Sequence, residues 1–338
     1  MNQPDHRVTV RVPATSANLG PGFDALALAL GLHDVVEARI IPDGLAIEVS
    51  GTGKDAAPAG EGHLVIRAMR AAFAVLGGQP PGIGLRCVNA IPQGYGLGSS
   101  AGAIVAGLLA ARALCPDGTG MADAELLDLA TRLEGHADNV SACLAGGLTI
   151  AWASACGPQS ARLAPVAGLT PVVCVPDIPL ATAAARKMLP PEVPHADAVA
   201  NSARAALLIA ALTGEPSLLM AGTEDFLHQP YRTAVMPATA GLIGRLRAAG
   251  IAAVVSGAGP AVLALTVAGT LPGPEAVQPI ATDSPAAWRV LRLDVDREGA
   301  TVAMSGTTAQ NSNVVESRCQ SESVPGLPRL RGPGQQGC

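Results

Sequence analysis

The sequence predicts a mixed fold of strands and helices in about two domains. Three observations carry that reading. The 338-residue chain exceeds the size at which a single hydrophobic core goes on growing. Period-two and period-3.6 apolar patterns both recur along it. A polar stretch containing Gly, Pro and Ser at 154–168 interrupts the pattern midway. The boundary is placed there, giving domains at 1–160 and 161–305, with a tail at 306–338.

Residues 8–12 (Val-Thr-Val-Arg-Val) alternate as a half-buried strand does. Further strands are expected at 35–41, 45–50 and 83–91. Residues 64–76 read as a helix ended by Gly77-Gly78. Ser99 to Leu114 forms a helix of small residues. Asp123 suits the N-cap of the next helix, whose Leu126, Leu129, Ala130 and Leu133 share one face before Gly135 ends it. Asp138 suits the cap of another helix, running to Gly146-Gly147. A strand at 148–152 precedes the polar stretch. Beyond it come strands at 171–175, 251–255, 261–266 and 287–295, and helices near 182–188, 197–213 and 239–249. The tail, rich in Ser, Gln, Gly and Pro, lacks apolar periodicity and is expected to be disordered.

Composition excludes several functions. Apolar residues make 49% of the chain but aromatics only 2%, so the core must be built from Ala, Val, Leu and Ile. A net charge of −5 is the wrong sign for a nucleic-acid-binding footprint. The start, MNQPDHRVTV, lacks the basic and apolar regions of a signal peptide. The longest apolar run, 103–111, falls short of the roughly 20 residues that span a bilayer. The Cys residues at 87, 115, 143, 156, 174, 319 and 338 form no CxxC pair and read mainly as small buried hydrophobes. A cytoplasmic protein without nucleic-acid or membrane partners is expected. Whether it forms a homodimer is left open.

The segment Pro92-Gln93-Gly94-Tyr95-Gly96-Leu97-Gly98-Ser99-Ser100-Ala101-Gly102 carries the most chemistry. It joins a strand to a helix. Glycines at 94, 96 and 98 allow positive φ and close backbone approach to a ligand. Ser99 and Ser100 stand at a helix N-terminus, where N–H groups lack intrahelical partners and the dipole end is positive. Such a place suits a triphosphate, with hydroxyls for a magnesium ion. No Lys follows the last glycine, so this is not a Walker A loop; the spacing is not GxGxxG either. A Gly-rich turn with a serine cap is the plain alternative.

Asn18 and Asp24 flank the turn Leu19-Gly20-Pro21-Gly22-Phe23 and offer the acceptors that an ammonium group and a hydroxyl need. A turn alone would also explain them. Glu134 closes one helix, where a carboxylate opposes the dipole, so a cation should compensate it. Asp138 is explained equally by capping. Arg186 and Arg232, taken singly, read as solvated surface charges. The glycines of Ser256-Gly257-Ala258-Gly259-Pro260 suit close packing against the Gly-rich loop, or an ordinary hairpin turn.

Taken together these motifs resemble a known family. Pro-x-x-x-Gly-Leu-Gly-Ser-Ser-Ala is similar to the ATP-binding signature of the GHMP small-molecule kinases. The segments 13–24 and 256–260 match that family's other two motifs in the right order. Ser16-Ala17-Asn18-Leu19-Gly20-Pro21-Gly22-Phe23-Asp24, with Glu134-Gly135-His136-Ala137-Asp138-Asn139, resembles the homoserine kinase branch. The resemblance covers about residues 8–300. It implies an α+β, two-domain GHMP kinase fold, with a ribosomal-S5-like N-terminal domain, a ferredoxin-like C-terminal domain and ATP in the cleft between them. It implies phosphorylation of L-homoserine to O-phospho-L-homoserine, a step of threonine biosynthesis. ATP would bind along 92–102, and Mg²⁺ would be shared by Ser99, Ser100 and Glu134, the catalytic set. Asn18, Asp24, His136, Asp138, Asn139, Arg186, Arg232 and Gly259 would lie on the substrate, the arginines on its carboxylate.

The chain departs from the family pattern at four places. Ala181 stands where Ser commonly precedes Thr182, and Ala261 where Ser or Thr follows the last motif. His63-Leu64-Val65 replaces Asn-Leu-Val near the adenine pocket, and Gly102 replaces Ala. None removes a phosphate or magnesium group. A GHMP kinase for another small hydroxy acid, such as mevalonate or shikimate, and a non-catalytic binding protein of this fold remain the alternatives.

Overall fold

Alternation sets the first strand, β1 (Arg7–Ala17): Val8, Val10 and Val12 are buried while Arg7 and Arg11 face out. From Pro13 onward every residue is buried, and the pairing with β2 (Leu26–Ile41) shifts register between Pro13 and Ala14. The computed structural model describes residues 7–54, 58–115, 120–178, 185, 187–270 and 272–305. Its first sheet adds β3 (Gly44–Gly51), β4 (Gly82–Asn89), β5 (Leu148–Ser154), β6 (Gly157–Leu163) and β11 (Thr301–Ser305). The order is β11-β1-β2-β4-β3, with β3 and β4 parallel. Along its edge away from β1, the long β2 serves two further partners: its first residues, Leu26–Leu28, pair β5, and Val35–Ile41 pair β4.

Four helices pack with this sheet: α1 (Leu64–Val75), α2 (Ser99–Leu114), α3 (Asp123–Glu134) and α4 (Asp138–Ala145). Almost all of α2 from Ala101 to Ala111 is buried, as expected of a helix that is apolar all round. A Cβ on its Gly107 would lie 2.5 Å from Val65 O, so only glycine lets α1 and α2 come this close.

The second sheet holds β7 (Leu169–Pro176), β8 (Ala252–Val255), β9 (Val262–Val267) and β10 (Trp288–Arg292) in the antiparallel order β10-β7-β9-β8. Between β7 and β8 run α5 (His195–Thr213), α6 (Leu219–Gly222), α7 (Gln229–Arg232) and α8 (Pro237–Ala248); α9 (Val277–Thr282) joins β9 to β10. This is the ferredoxin-like strand order that the resemblance implied. One apolar cluster takes Ala14, Leu19 and Leu28 from the first sheet's side, and Val173, Leu208 and Leu263 from the second's. The sheets therefore share a core beside the Gly-rich loop, whose Leu97 belongs to the same cluster.

Several expectations needed correction. The strand expected at 35–41 starts at Leu26, because Leu26–Leu30 is buried on both faces and shows no alternation. The polar 154–168 stretch contains β6, an edge strand whose side chains are only half-buried or exposed. β11 was not expected; it follows β10 yet pairs with β1. Asp123 does not cap α3. It sits one residue inside, its carboxylate 2.7 Å from Arg112, while Glu125 accepts the Ala122 N–H. Asp138 likewise is the first residue of α4 rather than its cap. The expected tail, and the helix expected near 182–188 apart from residues 185, 187 and 188, lie outside the described residues.

Candidate active site

The Gly-rich loop runs from β4 to α2. Gly94, Gly96 and Gly98 adopt φ of 81°, 77° and 71°, a region that disfavours other residues. Space is equally demanding. A Cβ on Gly96 would lie 2.1 Å from Ser256 O, and one on Gly98 would lie 1.9 Å from Thr15 Oγ1. Hydrogen bonds pin the loop from both sides: Thr15 N donates to Leu97 O (3.0 Å), Ala261 N to Tyr95 O (3.2 Å), and Ser256 Oγ bonds Gly96 O at 2.7 Å. The 256–260 segment thus packs on the loop as its glycines suggested. Gly98 is the N-cap of α2, and the first amide bonding back to it is Gly102 N, at 2.9 Å. The N–H groups before Gly102 have no intrahelical acceptor, at a helix end with positive partial charge.

Opposite stands Glu134, held at the end of α3 by Gly135 in the left-handed conformation (φ 93°). Ser100 Oγ donates to Glu134 Oε2 at 2.6 Å. The structure thus brings Ser100, rather than Ser99, onto the carboxylate. Burial pushes the Glu134 carboxyl above its ordinary range; the Ser100 bond and the His136 ring, 4.0 Å away, oppose that shift. His136 Nδ1 lies 2.6 Å from Asp138 Oδ1, which also accepts the Asn139 N–H. Asn139 Oδ1 accepts from Thr15 Oγ1 at 2.7 Å, tying α4 to β1 beneath Gly98.

The third wall is the 18–24 turn. Asn18, Leu19 and Asp24 all have positive φ (68°, 51° and 52°), a strained state that the surroundings must hold. Leu19 is fully buried in the shared core. Asn18 Oδ1 accepts the Asp24 N–H (2.9 Å) and its Nδ2 donates to Gly257 O (2.8 Å), so both ends of this amide already brace the turn. Asn201 of α5 donates to Pro21 O at 2.8 Å. Arg232, read singly as a surface charge, is 1% exposed. Its Nη1 lies 3.3 Å from Gly257 O and 3.2 Å from His228 Nδ1, and its guanidinium carbon lies 5.2 Å from the centre of the Phe23 ring.

These three walls enclose one cleft. Of the expected site residues, Pro92, Gly94, Gly96, Leu97, Gly98, Ser99 and Ser100 line it on the loop side. Glu134, His136, Asp138 and Asn139 line it below, and Asn18, Asp24 and Arg232 on the third side. The others do not. Gln93 packs against Gly53, Tyr95 bonds Asp177 O, and Ala101 and Gly102 are buried inside α2. Gly259 (φ 83°) backs the cleft against Met236. Arg186 lies outside the described residues. Gly257 and Ala258, read as part of the 256–260 motif but not among the expected site residues, line the cleft. Thr15, Asn201 and His228 were missed as well; only their partners, distant in sequence, reveal them. Among the described residues there is no group of three or more His, Cys, Asp or Glu able to hold a metal, and no helix long and apolar enough to cross a membrane.

The pattern of GHMP kinases N terminal domain matches residues 63–147, and that of GHMP kinases C terminal matches 204–282. The homoserine kinase of Streptomyces coelicolor is 52% identical over 303 residues, covering 89% of this chain and 96% of its own. That of Clavibacter michiganensis is 51% identical over 301 residues, covering 88% and 94%. The crystal structure of homoserine kinase from Cytophaga hutchinsonii superposes with a TM-score of 0.77 at 28% identity, covering 90% of this chain and 99% of its own. With the Gly-rich loop, the 18–24 turn and the 256–260 segment meeting in one cleft, the chain belongs to the homoserine kinases of the GHMP kinase family.

Proposed function

We propose that this protein transfers the γ-phosphoryl group of ATP to the side-chain hydroxyl of L-homoserine, giving ADP and O-phospho-L-homoserine on the way to threonine. One observation carries the reading. The phosphate-type cradle and Glu134 share a single cleft with Asp24, Asp138 and Arg232, charges that complement an ammonium and a carboxylate.

The loop N–H groups and the α2 dipole hold the triphosphate. Magnesium fits the donors present. Glu134 is a partly buried carboxylate bonded to a hydroxyl, a hard oxygen pair of the kind such an ion takes. Glu134 and Ser100 would hold it, with Ser99 beside them. When bound, the ion neutralises charge on the β- and γ-phosphates. Asp24 and Asp138 take the ammonium group, with His136 fixing the Asp138 carboxylate. Arg232 takes the carboxylate, joined in this proposal by Arg186. Carboxylates paired with an ammonium are poor bases, so the hydroxyl proton passes to a γ-phosphoryl oxygen.

The proposed division of labour puts ATP mainly on residues 1–160 and the carboxylate grip on 161–305, the latter lending β11 to the first sheet. A cytoplasmic setting agrees with the free thiols: burial pushes Cys87 and Cys174 up to about 12, so they act as inert hydrophobes. The test is ADP release from Mg-ATP with a panel of small alcohols. L-homoserine should dominate in kcat/KM. Equal use of mevalonate or shikimate, or no turnover of any alcohol, would overturn the proposal.

A further inference from the structure

Two opposed parts of the substrate pocket, the 18–24 turn and the Arg232 guanidinium, meet at one side chain. His228 immediately precedes α7 and is fully buried. Its Nε2 lies 2.9 Å from Gly20 O, and its Nδ1 lies 3.2 Å from Arg232 Nη1. The ring stacks on Phe23 with centroids 5.1 Å apart and planes 26° from parallel. Phe23 belongs to the strained turn and also lies under Arg232.

The chemistry of these contacts fixes the ring's state. A carbonyl only accepts and a guanidinium only donates. Nε2 must therefore carry the proton given to Gly20 O, and Nδ1 must be the bare acceptor for Arg232. Burial favours the same neutral ring, with Arg232 adding to it. Asp225 opposes them from 3.4 Å, and Asp24 and the Gly20 bond oppose them too. The Asp225 Oδ2 is itself occupied by the N–H groups of His228 (3.2 Å) and Gln229 (2.6 Å), which set the first turn of α7. A neutral imidazole is the one side chain that here offers a donor and an acceptor on opposite edges of a rigid ring.

We propose that His228 is a positioning residue for substrate recognition: one edge of its ring fixes the plane of the Arg232 guanidinium and the other fixes the Gly20 carbonyl, keeping the carboxylate grip in register with the turn that carries Asp24. An unsupported arginine has several rotamers to lose on binding; an acceptor at Nη1 removes that freedom beforehand. The proposal rests on the reading of Arg232 as the partner of the substrate carboxylate.

Amide substitutions separate the two edges. His228→Asn places an oxygen near the Nδ1 position and can still accept from Arg232. His228→Gln places its amide nitrogen near Nε2 and can still donate to Gly20, but withdraws the acceptor. With homoserine varied at saturating Mg-ATP, the Gln variant should raise KM about tenfold or more and the Asn variant about threefold or less, as expected for one charge-assisted hydrogen bond. In both variants kcat and the KM for ATP should stay near wild type. Aminopropanol, which is homoserine without its carboxylate, should be used equally well by wild type and the Gln variant. Independently of turnover, the imidazole nitrogen shifts at neutral pH should report an Nε2–H, Nδ1-bare ring. Equal losses on homoserine, aminopropanol and ATP would show a merely structural role. A normal homoserine KM for the Gln variant, or an Nδ1–H or doubly protonated ring, would overturn the proposal. If Arg232→Lys alone leaves homoserine KM unchanged, the carboxylate reading falls and takes this one with it. If Arg232→Lys is impaired while His228→Gln is not, only the positioning role falls.

Discussion

Gly98→Ala tests whether the phosphate loop depends on a backbone conformation and a space that only glycine has. At φ 71° an alanine pays about 1–2 kcal/mol for the left-handed conformation. Its Cβ would also sit 1.9 Å from Thr15 Oγ1. Thr15 is fully buried on β1, and its main chain is tied to Leu97 O, so its relief is to rotate Oγ1 away. That breaks the 2.7 Å bond to Asn139 and strands a buried acceptor, at about 1–3 kcal/mol. The sum is roughly 2–5 kcal/mol, or a fall in Tm of roughly 3–7 °C for a chain of this size. Calorimetry of Gly98→Ala, Thr15→Ala and the double variant gives the assay. With Oγ1 already gone, the alanine should cost only its backbone share, leaving a coupling of about 1–3 kcal/mol. KM for ATP should rise in the Gly98 variant, because the α2 N-terminus moves with the loop. A cycle additive within about 0.5 kcal/mol would refute the reasoning, since neither the clash nor the hydrogen bond would then link the two sites.

Three further outcomes are expected. Glu134→Gln keeps shape but removes the carboxylate, so kcat should fall by orders of magnitude with the fold intact; near-normal activity at ordinary Mg²⁺ would remove Glu134 from the metal site. Because burial holds the folded Glu134 carboxyl above its unfolded value, its contribution to stability declines as pH rises from the ordinary carboxylate range through the raised one. Metal-free melting curves of wild type and the Gln variant should therefore converge in acid and separate above, with the variant the more stable. Arg232→Lys loses the planar fork and should raise KM for homoserine by up to about a hundredfold, from about 2–3 kcal/mol, with little change for aminopropanol. Asp24→Asn should chiefly raise KM for homoserine and leave kcat at saturation within about tenfold, roughly 1.4 kcal/mol; a thousandfold collapse of kcat at unchanged KM would make Asp24 a general base.

The parts legible in the sequence are those whose signal is local. The α1 and α3 boundaries follow from apolar periodicity and from glycines that stop helices, and α2, Ser99–Leu114, from its run of small residues after the Gly-rich loop. Gly94, Gly96 and Gly98 are each needed for positive φ, which the loop's composition already suggested. Where burial is two-sided, periodicity vanishes: Leu26–Leu30 carries no alternation, so half of β2 went unread. Where a strand lies on an edge, its sequence looks like a loop, as β6 and β11 do. Helix caps were misread for a different reason. Asp123 and Asp138 have the right side chain in nearly the right place, but Arg112 and His136 compete for the carboxylates.

The supports of the site were illegible because each joins residues far apart in the chain. Thr15 reaches Asn139, Asn18 reaches Gly257, and His228 reaches Gly20, and in each pair neither sequence neighbourhood hints at the other. Physically these pairs do one job. The cleft and the turn behind it hold residues in costly states: three non-glycine residues at positive φ, a partly buried Glu134, and an Arg232 withdrawn from water. Such states last only if the surrounding structure over-determines them, and the bracing comes from both sheets at once. A cleft assembled only in the folded chain binds Mg-ATP and homoserine only when folded, so both should raise its Tm. The cleft sits where the two sheets share a core because either sheet by itself would leave these groups without their partners.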